Sequence, residues 1–201
     1  MGRMQPPCLR NLAVLAVVFT AACGDLRVNT ASPRPNVDLP AGISPTKLDL
    51  DASIADAFVI PKTDAVNQVP VTGWRTTLTR GFDSGFKGSS TQLVLQLREA
   101  DLSFGPAALY TGGTAAVYAR VRFKSSVIDG AGKEVQRIAG EVVARDAATS
   151  PTPEAMTANA SQAVEAMYES IAAKIAEPGK AEPGKGEPDD RLRDRAIQKG
   201  R

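Results

Sequence analysis

The 201-residue chain has no histidine and two cysteines. Without histidine it lacks the commonest general base and the commonest metal ligand, and with them Ser-His-Asp and Cys-His nucleophile systems. Aromatic residues make up 5% of the chain, with a single tryptophan, and no paired-carboxylate motif stands out. The expectation is therefore a chain that is not an enzyme, with no metal and no cofactor. No apolar run reaches the roughly 20 residues a membrane-spanning helix needs; the one at the N-terminus, Leu12 to Phe19, is far shorter.

That short run carries the clearest signal in the sequence. Arg3 and Arg10 precede it, and Thr20-Ala21-Ala22-Cys23 follows. A positive n-region, an apolar h-region and small residues before a cleavage point make a secretory signal peptide. A cysteine directly after the small residues makes it a bacterial lipoprotein signal. Residues 1–22 are expected to be removed. The Cys23 thiol is expected to carry a diacylglycerol-type anchor with palmitate-like chains, the one covalent group the chain needs. Gly24, rather than Asp, follows the cysteine, which favours the periplasmic face of the outer membrane over the inner membrane.

Processing changes the charge balance. The precursor has 24 basic and 22 acidic residues, and Arg3 and Arg10 leave with the signal, so the mature chain has 22 of each sign. A neutral chain offers no general attraction for nucleic acid. Cys8 also leaves with the signal and Cys23 is used by lipid, so no disulfide or thiolate metal site is expected.

Residues 23–45 contain Pro33, Pro35 and Pro40 among Asn and Ser and read as a lipidated, extended tether. Residues 177–201 repeat Glu-Pro-Gly-Lys in a charged, nearly apolar-free segment, which reads as a disordered tail. Between them, residues 46–176 make one domain.

Leu48, Leu50, Ala52 and Ile54 alternate with Asp49, Asp51 and Ser53 and predict a half-buried strand. Val71, Trp74, Leu78 and Phe82 recur at helical spacing and predict a helix over 71–83, with Trp74 as a core anchor. Leu93, Leu95 and Leu97 predict a strand that continues through Leu102 and Phe104 beyond a bulge. Gly112-Gly113 marks a turn. Val117, Ala119, Val121 and Phe123 alternate with Tyr118, Arg120, Arg122 and Lys124, the cleanest strand of the chain. Asp129-Gly-Ala-Gly132 predicts a hairpin turn into a strand over 134–145. Thr152 and Pro153 open a final helix whose apolar stripe is Met156, Ala160, Ala163, Val164, Met167, Ile171 and Ile175. The order is strand-helix-strand-strand-strand-helix. It predicts an α+β two-layer sandwich, a mostly antiparallel four-stranded sheet with two helices on one face.

Period-two spacing places Tyr118, Arg120, Arg122 and Lys124 on one strand face. They are the candidate anion- or partner-binding face, suited to phosphate or carboxylate groups of a lipid, glycolipid or protein. The competing reading is a solvated sheet face with Glu99, Glu134 or Glu141 as counter-charges. Asp49, Asp51 and Asp56 lack the spacing of a calcium loop.

The lipidation signal, the element order, the long hairpin over 115–145 and the Ala-rich final helix together resemble small envelope lipoproteins. These are the LPS-assembly lipoprotein (LptE), the YajG-like lipoproteins and the auxiliary lipoproteins of ABC transport systems. The resemblance is one of architecture. It implies a non-catalytic periplasmic domain, an accessory to outer-membrane assembly or lipid transport that docks on an envelope protein. The alternative is a lipid or glycolipid carrier with a pocket between helices and sheet.

Overall fold

Alternating apolar residues need cover on one side, and three long strands carry most of them. A computed structural model describes residues 25–40, 42–61, 68–86, 91–107, 116–144 and 152–177. In chain order the elements are β1 (Leu26–Arg27), a 3-10 turn (Val28–Thr30), β2 (Lys47–Leu50), β3 (Phe58–Ile60), β4 (Val69–Thr72), α1 (Trp74–Gly85), β5 (Val94–Ala107), β6 (Ala116–Ile128), β7 (Glu134–Ala144) and α2 (Pro153–Ala176).

The main sheet has the order β2-β5-β6-β7. β2 runs parallel to β5, and the β5-β6 and β6-β7 pairs are antiparallel. Helix α2 crosses β6 and β7, and α1 packs beside α2 and against β2. The expected α+β sandwich is present, with a mixed rather than wholly antiparallel sheet.

β5 shows how a bulge sustains a core face. Leu95 and Leu97 are fully buried, and Leu102 and Phe104 are buried at the opposite parity. The register shifts between Leu97 and Glu99. One extra residue there returns the even-numbered side chains to the core, so both halves of the strand face the helices. On β6, Val117, Ala119, Val121 and Phe123 are buried, as their alternation predicts. At the hairpin tip the Asp129 carboxylate accepts from the N–H groups of Ala131 and Lys133, both at 2.9 Å.

The final helix follows its pattern. Thr152 Oγ1 accepts from Ala155 N, Pro153 takes the first turn, and all seven stripe residues are buried. Tyr168, which the stripe omits, is also fully buried, and its hydroxyl donates to Leu78 O at 2.8 Å. It joins α2 to α1 and packs edge-on against Phe82 and Phe86.

Three local expectations are corrected. The first strand ends at Leu50 instead of reaching Ile54. Asp51 Oδ1 accepts from Ser53 N, and this side chain-to-backbone turn competes with strand geometry. The first helix begins at Trp74 rather than Val71. Gly73 sits at φ +79°, a left-handed conformation that no helix passes through, and a Cβ there would lie 2.5 Å from Asn29. Val71 belongs instead to β4, in a second, three-stranded sheet ordered β1-β4-β3. With no side-chain cap on Gly73, the helix start is satisfied from a distance. Asp56 O accepts from Trp74 N, and Asp56 Oδ1 accepts from Arg75 N.

The third correction concerns residues 23–45, expected to be an extended tether outside the domain. Leu26 and Val28 are buried core residues, and Pro33 and Pro35 are buried as well. The alternating prolines leave the intervening N–H groups pointing at α2. Arg34 N donates to Glu165 Oε1 and Asn36 N to Glu169 Oε1, each at 2.8 Å. Residues 26–39 thus pack as a rib along the domain, extended beyond the 3-10 turn. The Gly112-Gly113 turn, Cys23 and the tail beyond Glu177 lie outside the described residues.

Gly81 lets the two helices approach. An added Cβ would stand 2.8 Å from Val164 Cγ1 and 3.0 Å from the Tyr168 ring. Helix propensity alone favours Ala over Gly by about 1 kcal/mol. The Tyr168 ring is held by its hydrogen bond, so overpacking wins. Gly81→Ala is expected to lower stability by about 1–3 kcal/mol in a denaturant titration; a gain in stability would contradict this packing.

Candidate functional site

The basic row is where the alternation of β6 placed it. Inward side chains meet α2, and Tyr118, Arg120, Arg122 and Lys124 lie on the opposite face of the sheet. β6 is flanked by β5 and β7, and acids from both meet the row. The register sets Lys124 opposite Glu99, and Arg122 between Asp101 and Glu141. Lys124 Nζ pairs with Glu99, and Glu141 is shared by Arg120 Nε at 3.3 Å and Arg122 at 3.5 Å. The Arg120 Nε atom is buried and is not aligned for a hydrogen bond to that carboxylate. Its guanidinium lies over the Tyr118 ring, 5.4 Å from the centroid, and also donates to the Tyr118 hydroxyl. The Tyr118 ring in turn covers Gly105 on β5.

The four residues are therefore brought together on one face, with each base facing an acid. Glu134 does the same at the hairpin end. It accepts from Ser126 Oγ and pairs with Arg98 and Arg137 at 2.8–2.9 Å. Arg122 and Lys124 remain about 60% exposed, so exposed pairs of this kind add little stability each. Their main effect is to cancel charge locally: the face alternates in sign instead of presenting a single positive potential.

Sequence reading missed Asp101, because the bulge at Leu97/Glu99 decides that Glu99 and Asp101 share the face of the basic row. Partial burial and the neighbouring Glu99 raise the Asp101 carboxyl above its usual range. The Lys124 hydrogen bond holds Glu99 below its own, and the Ser126 hydrogen bond does the same for Glu134. The signs follow by linkage. Glu99 and Glu134 contribute stability at neutral pH that is lost as pH falls below about 4.5, the ordinary glutamate value. Asp101 acts the other way, costing stability when charged. Asp51 is held below its ordinary value too, by its hydrogen bonds with Ser53, so three lowered acids stand against the one raised, and the melting temperature is expected to fall between pH 5 and pH 3. Glu134→Gln should shallow that fall; an unchanged pH profile in this variant would refute the assignment.

Asp49, Asp51 and Asp56 do not converge. Asp49 accepts from Gln96, Asp51 closes its turn, and Asp56 caps α1. Arg75 fixes the intervening loop by donating to the carbonyls of Leu50, Asp51 and Ile54.

The space between α2, the inner face of α1 and the sheet is filled. Leu78, Val121, Phe123, Val164, Met167, Tyr168 and Ile171 meet there at 0% exposure. Cavities open at its margins. One of about 250 Å³ lies beside the β5 edge, lined by Ile54, Phe58, Trp74 and Leu102 with Arg98 and Asp101 at its rim. A second, an open groove of about 650 Å³, runs between β2 and α1.

No family model matches the chain, and no curated protein matches it. Solved structures do. A Xanthomonas campestris protein of the family DUF330 shares 14% identity at a TM-score of 0.41, over 72% of this chain and 91% of its own. A minor lipoprotein from Acinetobacter baumannii shares 12% identity at a TM-score of 0.39, over 65% of this chain and 90% of its own. An uncharacterized protein matches at 12% identity and a TM-score of 0.39, over 72% of this chain and 99% of its own. Among the described residues no helix is long and apolar enough to cross a membrane.

Proposed function

We propose that this chain is a lipid-anchored envelope lipoprotein, held at the periplasmic face of the outer membrane, that acts as a non-catalytic binding scaffold for an envelope protein. An accessory role in outer-membrane assembly or lipid transport is the reading that the sequence resemblance favours. The observation that carries scaffold over carrier is the packed helix-sheet interface. Among the described residues its fully buried side chains leave no enclosed pocket between α2 and the sheet. The marginal cavity of about 250 Å³ falls below the roughly 300–1,000 Å³ usual for small-molecule sites; the groove of about 650 Å³ between β2 and α1 is large enough but open, and Lys47, Asp49, Arg75, Arg80 and Asp83 line it, a charged surface unsuited to acyl chains.

The docked N-terminal rib refines the mechanism. Leu26 is 2% exposed, three residues after Cys23. Three residues span at most about 10 Å. An anchor on Cys23 therefore holds the folded domain against the bilayer surface rather than at the end of a long leash. A partner would meet a body at fixed height above the membrane.

The test is lipid extraction and native mass spectrometry of the purified Cys23→Ser chain. The scaffold reading expects protein free of non-covalent lipid. Stoichiometric phospholipid or glycolipid in that preparation would overturn it in favour of the carrier.

A further inference from the structure

β7 is the terminal strand of the main sheet. Its backbone alternates between a side that faces β6 and a side that faces out. Ile138 O is on the β6 side, where it accepts from Ser125 Oγ. Ala139 O is on the outer side, where it accepts from Lys174 Nζ. Residues of Ala139's parity therefore turn their N–H and C=O groups toward the free edge. Among the described residues no strand pairs with that edge. An eleven-residue edge strand is a template for another strand.

The side chains at this parity are Val135, Arg137, Ala139, Glu141 and Val143, and all are exposed. Among the described residues, Val135 and Val143 are two of the three large apolar residues that stand out to solvent, at 53% and 52%. The row is self-complementary when reversed. Antiparallel pairing about Ala139 sets Ala139 opposite Ala139 of a second copy, Arg137 opposite Glu141, and Val135 opposite Val143. Every backbone group presented to the edge meets its complement in this register. Opposite charges and branched apolar pairs directly across strands are each favourable, and like charges are unfavourable.

We propose that β7 pairs with β7 of a second copy of this chain, antiparallel about a two-fold axis through Ala139, joining two four-stranded sheets into one of eight strands. The interface is isologous, as a closed dimer requires. Both sets of helices lie on one face of the joined sheet, and both basic rows lie on the other. The register shift at Val127/Ile128 ends the regular ladder beside Val135, which limits the interface to residues 135–143. Lys174 is the competitor: its ammonium holds Ala139 O in the single copy and gives way to the Ala139 N–H of the second. An edge-guarding lysine keeps such an equilibrium reversible.

Charge swapping tests the register. Sedimentation velocity on the full chain in a Cys23→Ser background, which does not depend on lipidation, should show a concentration-dependent dimer. Arg137→Glu places four acids across the axis and Glu141→Arg four bases. Each is expected to weaken dimerisation by about tenfold or more. The Arg137→Glu/Glu141→Arg double variant, or an equimolar mixture of the two single variants, should restore it. Glu141 also pairs with Arg120 and Arg122, so thermal melts must confirm that each variant is folded. Arg137, whose side chain is 72% exposed, gives a variant that keeps the fold. Lys174→Ala should tighten the dimer. With Cys8 and Cys23 both replaced by Ser, Ala139→Cys should cross-link to itself through a short bis-maleimide. A monomer at every concentration, or a dimer indifferent to the Arg137 and Glu141 charges, overturns the proposal.

Discussion

Cys23→Ser is expected to move the protein from the membrane fraction into the soluble periplasmic fraction, nearly completely. The described residues offer a membrane nothing of comparable strength. With residues 1–22 removed as proposed the charge is balanced, the described helices are too short or too polar to span, and the outer sheet face alternates in sign. A bacterial lipoprotein anchor carries several acyl chains, and each buried methylene contributes about 0.8 kcal/mol. Losing it removes the whole of the binding energy. Fractionation of cells with a high-salt wash checks the outcome. Membrane association that survives the wash in the Ser variant would count against lipid anchoring.

Trp74→Ala is expected to be the most damaging single change in the folded domain. Trp74 is 1% exposed, its ring meets Phe58 edge-on at 6.5 Å, and its Nε1 donates to Ala100 O at 2.9 Å. It therefore ties α1, β3 and the far half of β5 into one body, at the place where β2 no longer covers the β5 edge. Truncating a buried Trp costs about 3–5 kcal/mol, a large share of the roughly 5–15 kcal/mol that stabilises a domain. The expected fall in melting temperature is about 10 °C or more. Trp74→Phe keeps the ring and loses the hydrogen bond, and should cost about 1–2 kcal/mol. Equal losses for Phe and Ala would show that packing of the ring contributes little.

Long elements were legible in the sequence because period decides face. β6 and α2 hold one period over a dozen positions or more, and every residue of the expected stripes is buried; α2 also buries Thr157, Asn159, Ser161, Tyr168 and Ala172, which the stripe left out. The β5 bulge was legible for the same reason: Leu97 and Leu102 break parity, and an extra residue at Arg98 repairs it. Short elements were not legible. β1, β3 and β4 have two to four residues each, too few to show a period, and Val71 lies three before Trp74, so β4 merged into the helical pattern. Gly73 was the visible clue, since a glycine there ends a strand and starts a helix. The proline-rich N-terminal segment misled by composition. Leu26, Val28, Pro33, Pro35, Val37 and Leu39 supply a sparse apolar series that packs on the domain. Its hydrogen-bond acceptors, Glu165 and Glu169, lie more than 130 residues away.

The candidate site was legible as a row but not as a lattice. Spacing alone placed Tyr118, Arg120, Arg122 and Lys124 together. Which acids face them depends on the β5 and β7 registers, which the bulges set. The complementarity of the β7 row with itself is likewise written in the sequence, and it acquires meaning once β7 is known to be an edge.

The scaffold reading is tested most directly by cross-linking the lipidated protein in living cells and identifying what co-purifies, with Cys23→Ser as the control. The account predicts a specific envelope-protein partner that is captured with the anchored form and lost with the Ser form. Recovery of lipid without any protein partner would contradict it.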